Sequence, residues 1–240
     1  IKNKVFSSES NFNSFYFQFL ELEEYISFKN RTILDIGCGN GNFLIMCSLF
    51  EKASNCIGID SVQGKGSEKD SLKIFQQKIN LLNLDNVKYI KSDIFKYDFE
   101  DKQFDIITAN FSLHHIIETT KNFLSSQELI NKSVILFNKI YKLLKPNGVF
   151  LVKEVSKYNL SRYFPIHGKI FGLDNINWKS KHLPSEYIVG LKKAKFKNVG
   201  VIYSIPYLIK KYGFLRFKKL LTNPIANFFF SSTYYIIARK

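Results

Sequence analysis

Three glycines at alternating positions, Gly37, Gly39 and Gly41, interrupt the stretch ILDIGCGNGNF. Glycine weakens a regular element by about 0.5–1 kcal/mol relative to alanine, so such a cluster marks a strained turn or a backbone that something must approach closely. The glycines follow TILDIG (32–37), a short apolar strand pattern, and precede NFLIMCSLFEK, a helix pattern. Open α/β sheets bind ligands at turns of this kind, at the carboxyl ends of their strands.

The alternation continues along the chain. NCIGIDSV (55–62) is a second strand, and Ser67 to Leu82 has apolar residues at 72, 75, 79 and 82, which is helical spacing. NVKYIKSDI (86–94) and FDIITANFSL (104–113) are the third and fourth strands. Ser125 and Glu128 form a capping-box pattern ahead of a helix with apolar residues at 130, 134, 137, 141 and 144. KPNG (145–148) ends that helix, and VFLVKEV (149–155) is a fifth strand. PSEYIVGLKKAKF (184–196) reads as a helix, with NVGVIYSI (198–205) and STYYIIARK (232–240) as closing strands. Such a chain folds as a doubly wound α/β domain with a mostly parallel sheet covered on both faces. The 240 residues suit one such domain. Three segments stand outside the alternation and are candidates to cover a pocket: an N-terminal cap (1–29) with Phe12, Phe15, Tyr16, Phe19 and Leu22 at helical spacing, an aromatic insertion (156–183), and a Lys- and Phe-rich insertion (206–230).

Composition narrows the setting. The longest apolar runs fall short of the ~20 residues of a membrane span, and no basic-then-apolar leader opens the chain at Ile1. Three cysteines, Cys38, Cys47 and Cys56, form no C-x-x-C pair, which points to a reducing, cytoplasmic setting without a disulfide framework. The net charge of +15 is unevenly placed: after Glu186 there is no acidic residue and there are eleven Lys or Arg. Attraction to an anionic partner and the drift of a Lys-, Asn- and Ile-rich composition are both consistent with this.

The glycine pattern is G-x-G-x-G, and Asn42 stands where a dinucleotide fingerprint places its third glycine. No Gly-Lys-Ser/Thr follows, so it is not a P-loop. Asp60 ends the second strand, where a carboxylate can accept ribose hydroxyls, and Asp93 ends the third, where an adenine edge could meet it.

In this order, ILDIGCGNG, GID, KSDIF, FDIITANFSLHHI and LLKPNGVFLVKE resemble the successive motifs of class I S-adenosylmethionine (SAM) dependent methyltransferases. The resemblance is strong over residues 30–155 and loose over 184–240. It implies a seven-stranded sheet whose last strand is antiparallel, SAM as cofactor and S-adenosylhomocysteine as product. It further implies Gly37, Gly39 and Gly41, with Cys38 and Asn40 in the same loop, beside the methionine part of SAM. Asp60 falls at the ribose, with the adjoining Ser61 also binding the cofactor, Asp93 and Ile94 at the adenine, and Asn110 near the methionine end and the methyl group. Asp35 either holds the loop from behind or meets the methionine ammonium directly. The Cys38 side chain reads as a small filler.

Methyl transfer to an alcohol or phenol also needs a base. His114 and His115 follow the fourth strand and, on an extended stretch, point opposite ways. His115 is the first candidate, with Glu154 and His114 behind it. His167 could enter from the aromatic insertion, and His182 reads as a surface residue. The fourth-strand tip, ANFS, gathers no carboxylates for a hard cation, so no metal is expected. Base-amine methyltransferases carry an Asn- or Asp-Pro-Pro-aromatic motif at this tip, and NFSL lacks it. A small-molecule acceptor, attacked through oxygen, is therefore favoured. The alternatives are RNA tracked by the basic C-terminal third, a lipid or quinone acceptor approached through the stretch YLIKKYGFLRFKKLL (207–221) in peripheral contact with an anionic membrane, and a non-catalytic scaffold.

Overall fold

The computed structural model describes residues 9–22, 24–62, 70–117, 125–171, 173, 175–205 and 221–240. The helices are α1 (Glu9–Leu22), α2 (Asn42–Leu49), α3 (Ser71–Leu82), α4 (Leu113–Ile117), α5 (Ser126–Leu143), α6 (Pro165–Phe171), α7 (Pro184–Lys193) and α8 (Pro224–Phe230). The strands are β1 (Thr32–Ile36), β2 (Asn55–Asp60), β3 (Val87–Lys91), β4 (Phe104–Asn110), β5 (Leu144–Val155), β6 (Lys197–Tyr203) and β7 (Thr233–Arg239). They form one sheet in the order β3-β2-β1-β4-β5-β7-β6. The strands β3 to β5 pair in parallel, and β7 runs antiparallel to both its neighbours. The chain winds outward from β1 in one direction to β3 and in the other from β4 onward. The crevice between the carboxyl ends of β1 and β4 is therefore the topological switch point, where such sheets place ligands.

Two-sided coverage explains the apolar strands. Successive side chains point to opposite faces, so Ile33, Ile106 and Leu151 join one core with Phe19, Phe43 and Phe75. Leu34, Ile107 and Phe150 join the other, with Phe137, Ile140 and Leu191. α1 is held on the first core by Phe19, whose ring lies 5.5 Å from Phe43 and 5.3 Å from Phe28.

The strands and helices expected from the alternation form, with informative shifts. The capping box at Ser125 forms as read. The buried stripe of α5, however, is Leu129, Ser133, Leu136, Phe137, Ile140 and Leu143. Leu129, Leu136, Phe137, Ile140 and Leu143 join the second core, and Ser133 packs where Gly190 of α7 leaves space; a Cβ on Gly190 would come 2.4 Å from the Ser133 hydroxyl. KPNG lies within β5 rather than before it: the register slips from Phe104 opposite Leu144 to Ile106 opposite Val149, so these residues bulge out of the ladder. β3 stops at Lys91, short of Asp93. The stretch after β4 is the helix α4, not extended chain. Residues 207–220 of the expected interfacial stretch lie outside the described residues, as does the start of the second helix at 67–69.

Candidate active site

The glycine turn is built by backbone conformation and by what each position must avoid. Gly37, Gly39 and Gly41 all have left-handed φ, at 72°, 53° and 73°. A Cβ on Gly41 would meet the Phe75 ring at 2.1 Å, whereas one on Gly39 would meet nothing within 4 Å. The turn thus packs on α3 at one end and faces open space in the middle. Asp60, buried at the tip of β2, ties it down: Oδ2 accepts from the Gly39 N–H at 3.0 Å and Oδ1 from the Val62 N–H at 2.8 Å. Lys78 of α3, unremarkable in the sequence, donates to the Asn40 carbonyl at 3.4 Å and to the Asn42 side chain. Its burial pulls its pKa down to about 8. Cys38 fills the space above Gly58, where a Cβ would come 2.5 Å from its sulfur, and burial pushes its thiol pKa well up. Ser61 follows Asp60 half-buried.

A buried polar chain runs from the turn to α1. Asp35 Oδ1 accepts from the Thr108 hydroxyl at 2.6 Å and from Asn110 Nδ2 at 3.2 Å. Asn110 Oδ1 accepts from Gln18 Nε2 at 3.0 Å, and Gln18 Oε1 accepts from Lys153 Nζ at 2.8 Å. Lys153 lies over the Phe111 and Tyr235 rings, 5.0 and 5.5 Å from their centroids. Burial drives the Asp35 pKa up to about 7, against the lowering effect of its two hydrogen bonds. Asp93 sits in the turn after β3, where Oδ1 accepts from the Phe95 N–H at 2.8 Å, and Ile94 beside it is buried.

The two histidines part company on α4. His114 is buried and Nδ1 lies 3.0 and 2.9 Å from the two oxygens of Glu154, itself buried near the end of β5. Two carboxylate oxygens on one ring nitrogen require an N–H there, so Nε2 is the accepting atom. It accepts from Lys181 Nζ at 2.7 Å. Burial works to raise the Glu154 pKa, but the interactions with His114 and Lys181 outweigh it, and the carboxyl is held below its ordinary value. His115, the first candidate from the sequence, is exposed, with its ring centroid 4.0 Å from that of His114. The helix explains the difference: on α4 adjacent residues are about 100° apart, so only one of the pair turns inward onto Glu154. His182 is buried, not superficial, with its ring 5.8 Å from Tyr187. His167 hydrogen-bonds Ser161 at 2.8 Å.

The site therefore offers a left-handed glycine turn with open space over Gly39, a carboxylate at the next strand tip, and a buried His–Glu pair between the helix after β4 and the end of β5. These residues fit an adenosyl group with an amino-acid tail: acidic acceptors for hydroxyls and an ammonium, and a backbone that a ligand can approach. Sequence comparison agrees. The methyltransferase-domain family model matches residues 27–197, and the chain belongs to this SAM-dependent methyltransferase family. Protein 235L of Invertebrate iridescent virus 6, which carries a methyltransferase name, is 27% identical over 81% of this chain and 68% of its own length. The sterol 24-C-methyltransferase of Saccharomyces cerevisiae is 28% identical over 74% of this chain, which spans only 42% of that protein. Among solved structures, Haemonchus contortus phosphoethanolamine N-methyltransferase 2, bound to phosphomonomethylethanolamine and S-adenosylhomocysteine, superposes with a TM-score of 0.62 at 18% identity. That match covers 98% of this chain and 54% of the other. The chain is an enzyme of the SAM-dependent methyltransferase kind.

Proposed function

We propose that this methyltransferase acts on a small-molecule acceptor through an oxygen nucleophile, with His114 as the base and Glu154 as its orienting carboxylate. The observation that carries this reading is the buried Glu154–His114 pair, 2.9 Å apart, on the strand and helix that follow the switch point. SAM supplies an electrophilic methyl group on a sulfonium. The chain's part is alignment, dryness and proton removal. Glu154 fixes the imidazole with Nδ1 protonated and stabilises the imidazolium once Nε2 takes a proton. The acceptor hydroxyl takes the place at Nε2 now held by Lys181, a side chain of the insertion that follows β5. Gly37, Gly39 and Gly41 with Asp60, Asp93 and Asn110 hold the cofactor, and Asp35 supports Asn110 from beneath. The sterol and phosphoethanolamine named for relatives are small molecules, which supports the acceptor class.

The test is S-adenosylhomocysteine release over a panel of hydroxylated aromatic acceptors. His114→Asn keeps a hydrogen bond to Glu154 but removes the base. It is expected to lower turnover by about 10²–10⁴-fold with cofactor affinity intact by calorimetry, while His115→Asn changes turnover far less. Unchanged turnover in His114→Asn, or a loss confined to His115→Asn, overturns the assignment.

A further inference from the structure

Half of the exposed large apolar side chains among the described residues lie on two segments: the insertion at 158–170 and helix α8. Ile166 is 75% exposed and Ile170, one turn later on α6, 64%; Ile225 is 72% exposed and Phe229, one turn later on α8, 41%. Tyr163 and Phe164 precede α6 and are more than half exposed. Isolated exposed hydrophobes need no explanation, but a collection of this kind on a soluble surface marks an interaction site.

The two segments are joined. Asn159, fully buried, donates from Nδ2 to the Asn227 carbonyl at 3.1 Å and to the Ser231 carbonyl at 3.3 Å. Its own Oδ1 accepts from the Ser161 N–H at 2.8 Å, which starts the turn leading into α6. One amide therefore clamps the end of α8 to the start of the insertion. Between α8, β6 and α7 lies a cleft of about 690 Å³, lined by Tyr158, Ile188, Tyr203, Ile225 and Phe228. Ser156 and Leu183 also line it, each two residues along the chain from Glu154 and Lys181.

The exposed charges described on these segments are basic. Arg162 and Lys169 are exposed among the apolar side chains. Residues 156–171 hold Lys157, Arg162 and Lys169 and no acid, and helix α8 holds no charge. Glu186 is turned inward, accepting from Ser126, Lys157 and the Leu183 N–H. Aliphatic and aromatic side chains with cations between them, and no acid within either segment, suit a surface that is apolar beneath an anionic layer. No helix among the described residues is long and apolar enough to cross a bilayer, so contact of this kind is superficial.

We propose that this face seats the protein on an anionic lipid bilayer, with Ile166, Ile170, Ile225 and Phe229 entering the headgroup–acyl boundary and Arg162 and Lys169 meeting the headgroups. The cleft then opens beside the membrane, with Ser156 and Leu183 on its wall. The inference stands apart from the choice of base.

Vesicle flotation of the full chain tests it, with phosphatidylcholine alone and with phosphatidylcholine containing one part in four phosphatidylglycerol. The protein is expected to float with the anionic vesicles and not with the neutral ones, and rising salt should release it. The neutral pair Ile166→Asn with Ile225→Asn is expected to weaken partitioning at least about tenfold, since each side chain forfeits apolar burial. Arg162→Gln with Lys169→Gln is expected to lower the salt concentration at which release occurs. S-adenosylhomocysteine calorimetry on each variant reports that the fold is retained; if the Ile166→Asn/Ile225→Asn protein fails it, Ile170→Asn with Phe229→Asn takes its place. No flotation of the wild-type chain overturns the proposal. So does flotation that the apolar substitutions leave unchanged, which would assign binding to basic charge alone. RNA binding weakened by the same substitutions, without vesicle binding, would reassign the face to nucleic acid.

Discussion

Asp35 shows how a buried group can be both structural and titratable. Its pKa stands at about 7 because burial penalises the carboxylate more than Thr108 and Asn110 stabilise it. In the unfolded chain the value returns to about 4. Between these limits the folded state keeps a proton that the unfolded state has released. Stability is therefore expected to fall as pH rises from about 4 to about 7, by on the order of a few kcal/mol, and to level off above. Urea unfolding of wild type and Asp35→Asn across this range checks it: the variant should lose that downward slope, and an unchanged slope would place its origin elsewhere. The glycines divide in a similar way. Gly41→Ala drives a Cβ into Phe75 and should lose more than about 2 kcal/mol of stability. Gly39→Ala has room and meets only the cost of left-handed backbone, about 1 kcal/mol, so its larger effect should be weaker cofactor binding by calorimetry. The sequence shows the cluster of glycines but not this division, because Phe75 lies 34 positions away. Lys78, Gln18, Lys153 and Lys181 were invisible for the same reason: lysine and glutamine are ordinary surface residues until the fold buries them.

Among the helices, α1 was legible as an amphipathic segment, yet its docking was not. The spacing of Phe12, Phe19 and Leu22 predicts a helix with an apolar side. It does not reveal that Glu21 is buried and accepts from the Tyr235 hydroxyl at 2.8 Å, the Ser204 hydroxyl at 3.0 Å and the Ile205 N–H at 2.7 Å. These bonds tie α1 to β7 and the end of β6, more than 180 residues on. Glu21→Ala strands three donors and leaves a cavity, and chemical unfolding should show a loss of about 3 kcal/mol. Ser125→Ala removes a cap at an exposed helix start, and should lose only about 1 kcal/mol. The contrast separates local from long-range control: the capping box could be read in four consecutive residues, while the Glu21 contacts needed the sheet order. The same limit explains the shifted stripe of α5. Apolar residues occur on both sides of that helix, and only the fold shows which side meets the sheet and the space left at Gly190.

The sheet as a whole brings the groups proposed to hold the cofactor together from separate units. The turn after β1, Asp60 at the end of β2, Asp93 after β3 and Asn110 at the end of β4 converge only because the strands run parallel and their carboxyl ends lie on one edge. That convergence was readable, since repeated strand–helix units dictate parallel pairing and right-handed crossovers. A ligand that bridges all four units binds the folded state alone, so it must stabilise the entire domain and not one loop. At a concentration about 100 times its Kd, S-adenosylhomocysteine should add about 2.7 kcal/mol. For a chain of this size that corresponds to a rise in Tm of about 5–10 °C. Asp93→Ala separates binding from folding, because its carboxylate otherwise caps only its own turn. The variant should melt close to wild type without ligand and show a smaller rise with it. A full rise in Asp93→Ala would remove Asp93 from the adenine site, and no rise in the wild-type chain would mean that the four strand ends do not share one ligand.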